Sequence, residues 1–240
     1  MKKIIFWFFR FLISLMALSL IIIVTHNLNK EITTEDIKYI KKFVSDKNIT
    51  NAENYSSYAN SLSFEKQVAL IKKIQKNVIT IAPIGRGIPH NKPRNPKDLY
   101  LHKKGLCYDR SNVLEKILES MGFKTRHLSL FAKMADKSLF SELTTQGIRS
   151  HSIFEVQTNQ GWLIVDTNSK WVSLNSDNIP ISMGLLKKNG YNVVWKETPP
   201  LDYYTSPYTH IYGLYSRHGK FFKPYNSIPD FRVQELLYNF

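Results

Sequence analysis

The sequence predicts an α+β domain behind one apolar N-terminal helix, and three observations lead to this fold class. Residues 4–24 are apolar almost without interruption. Apolar residues between positions 33 and 121 recur at the spacing of one helix face. Residues 123–167 instead contain short strand-like stretches separated by a tight turn. Because the helices come first in the chain and the strands follow, the pattern favours an α+β arrangement over alternating β-α-β units.

The composition is that of an ordinary globular protein. Of the 240 residues, 43% are hydrophobic and 22% are charged, which argues against disorder. The length allows one domain of about 200 residues with an appendage. The formal net charge is +14. A surface this basic attracts anionic partners such as lipid head groups, acidic glycans or nucleic acid, although scattered lysines that only aid solubility give the same total.

The chain has one cysteine, Cys107. A single cysteine makes neither an intramolecular disulfide nor a cysteine-rich zinc site. His, Asp, Glu and Cys residues also do not stand at ligand spacing on one face, so neither a metal nor a cofactor is predicted. A lone cysteine is often only a small buried hydrophobe, and its surroundings decide whether it has a role.

Residues 1–27 are predicted to form a membrane anchor. The apolar segment 4–24 makes a helix of about 30 Å, which matches the hydrocarbon thickness of a bilayer. Lys2, Lys3 and Arg10 lie at its front end, which favours an N-terminus inside the cell and the remainder outside. The alternative is a cleaved signal peptide, but no small-x-small cleavage site follows. The uncleaved anchor predicts a single-pass protein of the cell (inner) membrane, with its domain on the periplasmic or extracytoplasmic side.

Residues 28–94 are expected to form a helical part that ends in a basic loop. Thr33 and Asp36 are placed as a capping box at the start of one helix, and residues 64–79 have the period of a second. The segment 81–96, rich in Pro and Gly, follows. It either overhangs a functional site or is a plain surface connection.

Residues 95–190 contain the elements of the predicted core. An Asn-Pro pair at its beginning starts a short helix, which is expected to stop at Gly105. A longer amphipathic helix begins around Cys107 and is closed by Gly122. The strands expected after it cover residues 123–131, 151–158 and 162–167.

The position of Cys107 favours a chemical role. It follows Gly105-Leu106 and opens an amphipathic helix. The free N–H groups and the positive dipole end of a helix N-terminus stabilise a thiolate and lower the pKa of the thiol. The same N–H groups can donate to the oxyanion that forms on an attacked carbonyl. Such a thiolate needs a histidine partner, and a third group that fixes the tautomer of that histidine.

His151 and Asp166 are placed to fill those two roles. They lie in two strand candidates that are joined by a tight turn. If the turn is centred between Asn159 and Gln160, Ile153 pairs with Asp166, and His151 and Asp166 are diagonal neighbours on one face. A register shifted by one residue would place them on opposite faces. The register is chosen here because the chemistry requires it.

Two runs of sequence resemble the transglutaminase-like superfamily. In KKGLCYDRSNVLEKILESMGFKTRHLSL, Gly-x-Cys opens a helix, a Gly ends it, and a strand carrying Arg126 follows. In SHSIFEVQTNQGWLIVDTN, His begins a strand, Trp follows the turn, and Asp ends the next strand. The resemblance covers about residues 95–170. It implies a papain-like fold, with the nucleophile helix packed on an antiparallel sheet.

The resemblance also implies a catalytic triad. Cys107 corresponds to the nucleophile, His151 to the general base and acid, and Asp166 to the orienting carboxylate. The chain departs from the family where Ser152-Ile153 replaces a common Ala-Trp pair, and where Thr167-Asn168 replaces Pro-Thr. An upstream side chain usually assists the oxyanion hole, and three candidates stay open, Asn60, Asn77 and Tyr100.

Other polar residues are weaker candidates. His102 and His127 compete as the base, but neither has an evident carboxylate partner on a predicted adjacent strand. Asp109 suits the first turn of a helix simply as a dipole partner, and would oppose a thiolate if it pointed at the sulfur. The remaining histidines in aromatic or Pro-rich loops are expected to be structural or solvated: His90, His210 and His218.

Residues 191–240 form an aromatic-rich extension with 13 aromatic residues. Such density is typical of a stacking platform for sugars, or of aromatic side chains that pack over the core. Packing on the core is the simpler interpretation. This part lies outside the family resemblance, and is therefore where substrate choice would be sought.

The resemblance and the anchor together imply a membrane-anchored cysteine enzyme. It is expected to cleave or transfer an amide or acyl group through a Cys107 thioester, on a cell-envelope protein or glycan. Peptidase, amidase and transglutaminase activities stay open. Expected partners are an anionic envelope component or a protein or peptide substrate, and the membrane through residues 4–24; nucleic acid is not expected, since no recognition motif is present. The main alternative is a non-catalytic scaffold of this fold in envelope or polysaccharide assembly.

Overall fold

The computed structural model describes residues 2–28, 30–44, 55–89, 92–133, 138–145, 147–215 and 230–240. Helix α1 spans Lys2–His26. Within it, Lys3–Ile22 has a mean hydropathy of 2.3 and is unburied. Its length and composition suffice to cross a membrane, a property that it shares with signal sequences.

Helices dominate the next part of the chain, as expected. The capping box at the start of α2 is confirmed, because the Thr33 N–H donates to the Asp36 carboxylate and the Asp36 N–H donates to the Thr33 hydroxyl. The glutamine at position 75 lies on the buried face of α3, beside the predicted apolar residues. The helix bounds are Thr34–Val44 for α2, Phe64–Ile81 for α3, Pro96–His102 for α4 and Cys107–Ser120 for α5.

Helix α4 ends before the predicted stop at Gly105. Lys103 takes a left-handed conformation with φ of 60° and ends the helix. Gly105 has a different task, because its N–H donates to Pro83 and its carbonyl accepts from Gly85. A Cβ at Gly105 would lie 2.8 Å from Leu99 Cδ1. A side chain here would displace Leu99, so the glycine suits the close approach between the loop, α4 and the residues before Cys107.

The central sheet is antiparallel, with the strand order β3-β2-β1-β4. Its strands are β1 Lys124–Ala132, β2 Ser150–Thr158, β3 Gly161–Val165 and β4 Tyr208–Tyr212. The first three match the predicted strands within about two residues. The fourth was not predicted, because it lies in the aromatic C-terminal extension. That extension therefore contributes an edge strand to the core sheet.

The sheet separates two hydrophobic clusters. One face packs against α2, α3 and α5, with Phe154 and Val165 among its buried residues. The opposite face, including Leu130 and Ile153, packs against residues 171–212. The smaller elements are α6 Leu139–Thr144, α7 Met183–Lys188, β5 Leu214–Tyr215, β6 Asp230–Phe231 and α8 Val233–Leu236. The mixed architecture predicted from the sequence is confirmed.

The segment that follows α1 is bound to the domain. The Leu28 N–H donates to the Phe231 carbonyl at 2.7 Å, and the Val233 N–H donates to the Asn27 side chain at 3.1 Å. Lys30 is buried, and its Nζ lies 2.8 Å from Glu115 Oε2. The folded domain therefore begins immediately after the apolar helix.

Candidate active site

Cys107 is the first residue of α5 and is partly exposed. The Asp109 carboxylate accepts the N–H of Leu106 at 2.9 Å and the N–H of Ile88 at 3.2 Å. It also lies 3.2 Å from Arg94 Nε. Asp109 therefore caps the helix and binds the loop before it. Cys107 lies at the helix end where the N–H groups have no partner within the helix.

The described part of the loop between α3 and α4, residues 82–89 and 92–95, contacts this helix end. Its residue Ile84 forms a β-bridge with Gly105. A Cβ at Gly87 would lie 2.8 Å from both Asp109 Oδ2 and Leu106 Cδ1. The described part of the loop therefore borders the start of α5, and an overhang of the site stays a prediction.

The β2–β3 hairpin brings His151 and Asp166 together in the predicted register. Phe154 pairs with Val165, and Thr158 pairs with Gly161 around a two-residue turn. The ladder ends at the Phe154 pair, so the expected pairing with Ile153 is not formed as a ladder contact. Asp166 nevertheless keeps its face, and His151 Nε2 lies 2.9 Å from Asp166 Oδ2.

Asp166 is fully buried and held at both carboxylate oxygens. Its Oδ2 accepts from His151 and from the Tyr204 hydroxyl at 2.6 Å. Its Oδ1 accepts the backbone N–H groups of Asn168 at 2.8 Å and Ser169 at 2.7 Å. Burial by itself raises the pKa of Asp166, but these hydrogen bonds and the attraction of His151 hold the pKa at about 2. The group is a fixed anion at neutral pH.

Cys107 and His151 shift each other's pKa in opposite directions. Burial raises the pKa of the Cys107 thiol, but the hydrogen bond and charge of His151, the Ser152 N–H and the charge of Arg110 together lower it below its usual value. Burial lowers the pKa of His151, whereas its bonds to Asp166 and Cys107 raise it to about 9. Both shifts act in the direction that favours a thiolate beside an imidazolium over the neutral pair.

Arg110 is a buried cation in α5, one turn after Cys107. Its guanidinium donates to the carbonyl oxygens of Thr167 and Gly105, each at 2.7 Å, and to the side chain of Asn168. These bonds tie the helix start to the loop that follows Asp166. Arg110 gives no signal in the sequence, because most of its partners are backbone carbonyl oxygens.

Two tyrosines of the C-terminal extension complete the site. Tyr203 stacks on the His151 ring at 5.6 Å between centroids, with an interplanar angle of 18°. Tyr204 donates to Asp166 and stacks on Trp171 at 4.4 Å. In the sequence, these tyrosines stand out only as neighbours in an aromatic-rich segment. That segment alone does not predict a contact with His151.

Other histidines considered from the sequence have different partners. His127 is fully buried, with Nδ1 2.6 Å from Glu115 Oε1. Its carboxylate partner comes from α5 rather than from an adjacent strand. His102 Nε2 lies 3.0 Å from the Arg86 carbonyl oxygen. His210 is on edge strand β4, and two further candidates lie outside the described residues, His90 and His218.

The upstream oxyanion candidates also have other contacts. The Asn77 amide donates to the Phe43 carbonyl at 3.0 Å. The Tyr100 ring packs on Phe43 at 5.6 Å, and Asn60 is exposed. The N–H groups at the start of α5 are the remaining candidate donors to an oxyanion among those considered. Within the part of the chain that the structure describes, no group of three or more His, Cys, Asp or Glu residues is arranged to hold a metal ion.

Replacing Tyr204 with phenylalanine is expected to lower the free energy of unfolding by about 1.5–3 kcal/mol, because the buried Asp166 anion loses one hydrogen-bond donor. For a domain of this size that corresponds to a fall in melting temperature of about 5 °C. Thermal unfolding of the full chain in a non-ionic detergent measures it. Tyr203→Phe is the matched control, since Tyr203 contacts His151 through its ring. Equal losses in both variants would contradict the role given to the Tyr204 hydroxyl.

Comparison with known proteins gives one family match. Residues 49–167 match the family model described as the transglutaminase-like superfamily. The match begins within the helical part, so it includes α3 as well as the segments that carry the resemblance. Among curated proteins, none matches the sequence.

Two solved structures are similar at low identity. A candidate cysteine protease from Cytophaga hutchinsonii is 13% identical, with a TM-score of 0.35 over 78% of this chain and 54% of its own. The present chain thus spans about half the length of that protein. Arylamine N-acetyltransferase C from Bacillus anthracis is 16% identical, with a TM-score of 0.37 over 85% of this chain and 71% of its own. The family match rests on the sequence of residues 49–167. According to this match, the chain contains a domain of the transglutaminase-like superfamily.

Proposed function

We propose that the protein is a cysteine-dependent acyl-transfer enzyme with Cys107 as nucleophile, His151 as general acid and base, and Asp166 as the orienting carboxylate. The observation that carries the proposal is the chain of contacts at the start of α5. There a partly exposed thiol with a lowered pKa interacts with a histidine that is bonded to a buried carboxylate. The superfamily match agrees with this chemistry.

In the proposed reaction the Cys107 thiolate attacks the carbonyl carbon of an amide, and a C–S bond forms. The resulting oxyanion accepts hydrogen bonds from N–H groups at the start of α5. The His151 imidazolium gives its proton to the amide nitrogen, the C–N bond breaks, and an amine leaves. A water or amine then attacks the thioester, gives a proton to His151, and releases the thiolate. The reaction is a hydrolysis when water attacks the thioester, and a transfer when an amine attacks it.

We place this activity at the outer surface of a cell membrane. The apolar helix α1 and the binding of Leu28 and Lys30 to the domain support an anchor that holds the site close to the bilayer. The net charge of +14 favours an anionic neighbour or substrate. A cell-envelope protein, peptide or amide-bearing glycan is the substrate class that fits this position.

The pH dependence of Cys107 alkylation tests the proposal. Neutral iodoacetamide reports the thiolate, so the rate at pH 6 should be well above that of an ordinary thiol, because the pKa of Cys107 is lowered. Anionic iodoacetate also responds to the imidazolium beside the thiolate. Its rate should fall as the pH rises through about 9, where His151 loses its proton. Cys107 is the only cysteine, so the labelling has one source.

A His151→Ala variant is the control for that experiment. Without the imidazolium the thiol returns toward an ordinary pKa, and its alkylation at pH 6 should fall about 100-fold. A slow wild-type reaction with the profile of a free thiol, unchanged in His151→Ala, would mean that the three residues do not act together. A Cys107→Ala variant that keeps full cellular function would favour the non-catalytic scaffold instead.

A further inference from the structure

A cavity of about 710 Å³ runs along edge strand β4. Five consecutive residues, 207–211, line it. Side chains of a strand alternate between two faces, so a cavity lined by every residue in turn must follow the edge of the strand. The other walls carry two exposed lysines, Lys133 and Lys187, and the apolar side chains of Leu236 and Phe240.

The backbone of β4 has one donor and acceptor pair available at this edge. Thr209 and Ile211 pair with β1, so the outward N–H and C=O groups belong to the alternate residues Tyr208, His210 and Tyr212. The Tyr208 N–H donates to the Tyr191 hydroxyl at 3.3 Å. At the other end, the Asn239 side chain bonds to both the N–H and the carbonyl of Tyr212, at 3.0 and 3.2 Å. Between these caps, no residue within the described ranges hydrogen-bonds the backbone of His210.

This free edge lies on the same face of the sheet as His151. Leu130 pairs with His151 on one side and with His210 on the other. Directly opposed residues point to one face, and two strand spacings put the two histidines about 10 Å apart. Tyr203, which stacks on His151, also contacts the ring of Tyr208 at 4.1 Å. A ligand at the edge therefore adjoins the candidate active site.

We propose that the outer edge of β4 binds an extended acidic peptide as an additional strand, and so presents a peptide substrate to the Cys107 site. The proposal rests on the proposed function, to which it adds a substrate class. The His210 N–H and carbonyl supply the pair of main-chain hydrogen bonds of an added strand. Lys133 and Lys187 face acidic side chains, while Leu236 and Phe240 contact the apolar residues that alternate with them.

An anionic lipid is the competing ligand, since the same lysines and apolar residues would suit it. The backbone of His210 favours the peptide, because an acyl chain makes no use of a free N–H and carbonyl pair. The edge-binding mode also leaves the side-chain caps at Tyr208 and Tyr212 in place. These caps limit the added strand to the stretch between them, which gives the bound peptide one register.

Binding is best measured on the full chain carrying Cys107→Ala, in nanodiscs of neutral phosphatidylcholine. The probes are a heptapeptide of alternating glutamate and valine, its lysine counterpart, and the acidic peptide N-methylated at alternate residues. The acidic peptide should bind about tenfold more tightly than either of the others, as expected for the loss of two main-chain hydrogen bonds or of charge pairing. It should also slow hydrogen–deuterium exchange of the His210 amide.

Two pairs of variants test the backbone and charge contributions separately. His210→Pro removes the outward N–H, which β1 does not use, and should weaken binding about tenfold, whereas His210→Ala keeps that N–H and should bind normally. Lys133→Glu with Lys187→Glu should reverse the preference to the basic peptide. Lys41→Glu with Lys76→Glu, both on exposed helix positions, should leave it unchanged. Thermal unfolding checks that each variant is folded.

Three results would overturn the proposal. They are equal binding of the three peptides, equal binding by His210→Pro and His210→Ala, and protection of the His210 amide only when phosphatidylglycerol is added to the nanodisc. The last result would assign the edge to lipid. Fast alkylation of wild-type Cys107 without peptide binding would reject this inference alone. Peptide binding with an unreactive Cys107 would instead reject the proposed function.

Discussion

Replacing Asp166 with asparagine is expected to lower the rate of Cys107 alkylation at pH 6 about 100-fold, because His151 loses the anion that holds its proton. One oxygen of Asp166 accepts two backbone N–H groups, which can only donate. An asparagine must keep its oxygen there, so its NH₂ group points at His151 Nε2. That nitrogen must then accept a hydrogen bond, and the imidazolium is disfavoured.

The measurement is the alkylation rate from pH 5 to pH 9.5, with iodoacetamide and iodoacetate. In Asp166→Asn the fall of the iodoacetate rate, expected near pH 9 in the wild type, should move to lower pH. Asp202→Asn is the control, because Asp202 is an exposed acid next to Tyr203 in the sequence and lies 2.7 Å from Arg149. It should change the rate less than twofold. An Asp166→Asn profile equal to that of the wild type would remove the carboxylate from the mechanism.

The candidate site could be predicted because its determinants are local. The start of α5 is set by the residues next to Cys107, and the tight turn after Thr158 sets the register that brings His151 to Asp166. Alternation fixes which side chains share a face once the turn is placed. These signals lie within a few residues of the groups that they position.

Contacts between distant segments could not be predicted in this way. Tyr203 and Tyr204 reach the site from the C-terminal extension, and Arg110 acts through backbone carbonyl groups. Strand β4, with the sequence YTHIY, has no regular alternation of apolar and polar residues. Its place at the sheet edge depends on pairing with β1, far away in the sequence. Local periodicity contains no information about such pairings.

A buried cluster around Lys30 is another set of contacts between distant segments that the sequence did not predict. Its Nζ lies 2.8 Å from Glu115 and 2.6 Å from Glu119, and 3.5 Å from Glu235. The cluster joins the segment after α1, helix α5 and the C-terminal helix α8. Burial alone lowers the pKa of Lys30, but the three carboxylates raise it well above its usual value. Burial raises the pKa of Glu115, yet Lys30 and His127 lower it to about 2.

Replacing Lys30 with methionine is expected to cost about 3–5 kcal/mol of stability at pH 7, because three carboxylates lose their shared buried cation. The melting temperature should fall by about 10 °C. The direction of the pH dependence should also reverse. The low pKa of Glu115 stabilises the wild type above pH 4.5, and this contribution is lost as the pH falls toward about 2. In the variant Glu115 and Glu119 lose the cation that opposes the effect of burial, so their pKa values should rise and acidification from pH 7 toward pH 5 should be stabilising.

Thermal unfolding of the full chain in a non-ionic detergent, at pH 5 and pH 7, distinguishes these signs. Lys72→Met is the matched control, because Lys72 lies 2.7 Å from Glu197 in an exposed ion pair, which contributes about 1 kcal/mol or less. Adding Glu119→Gln to Lys30→Met should recover part of the loss. Cys107 alkylation at 25 °C should change little, since the cluster lies two turns along α5 from the thiol. A Lys30→Met protein as stable as Lys72→Met at pH 7 would show that the cluster does not hold the domain to the segment after α1.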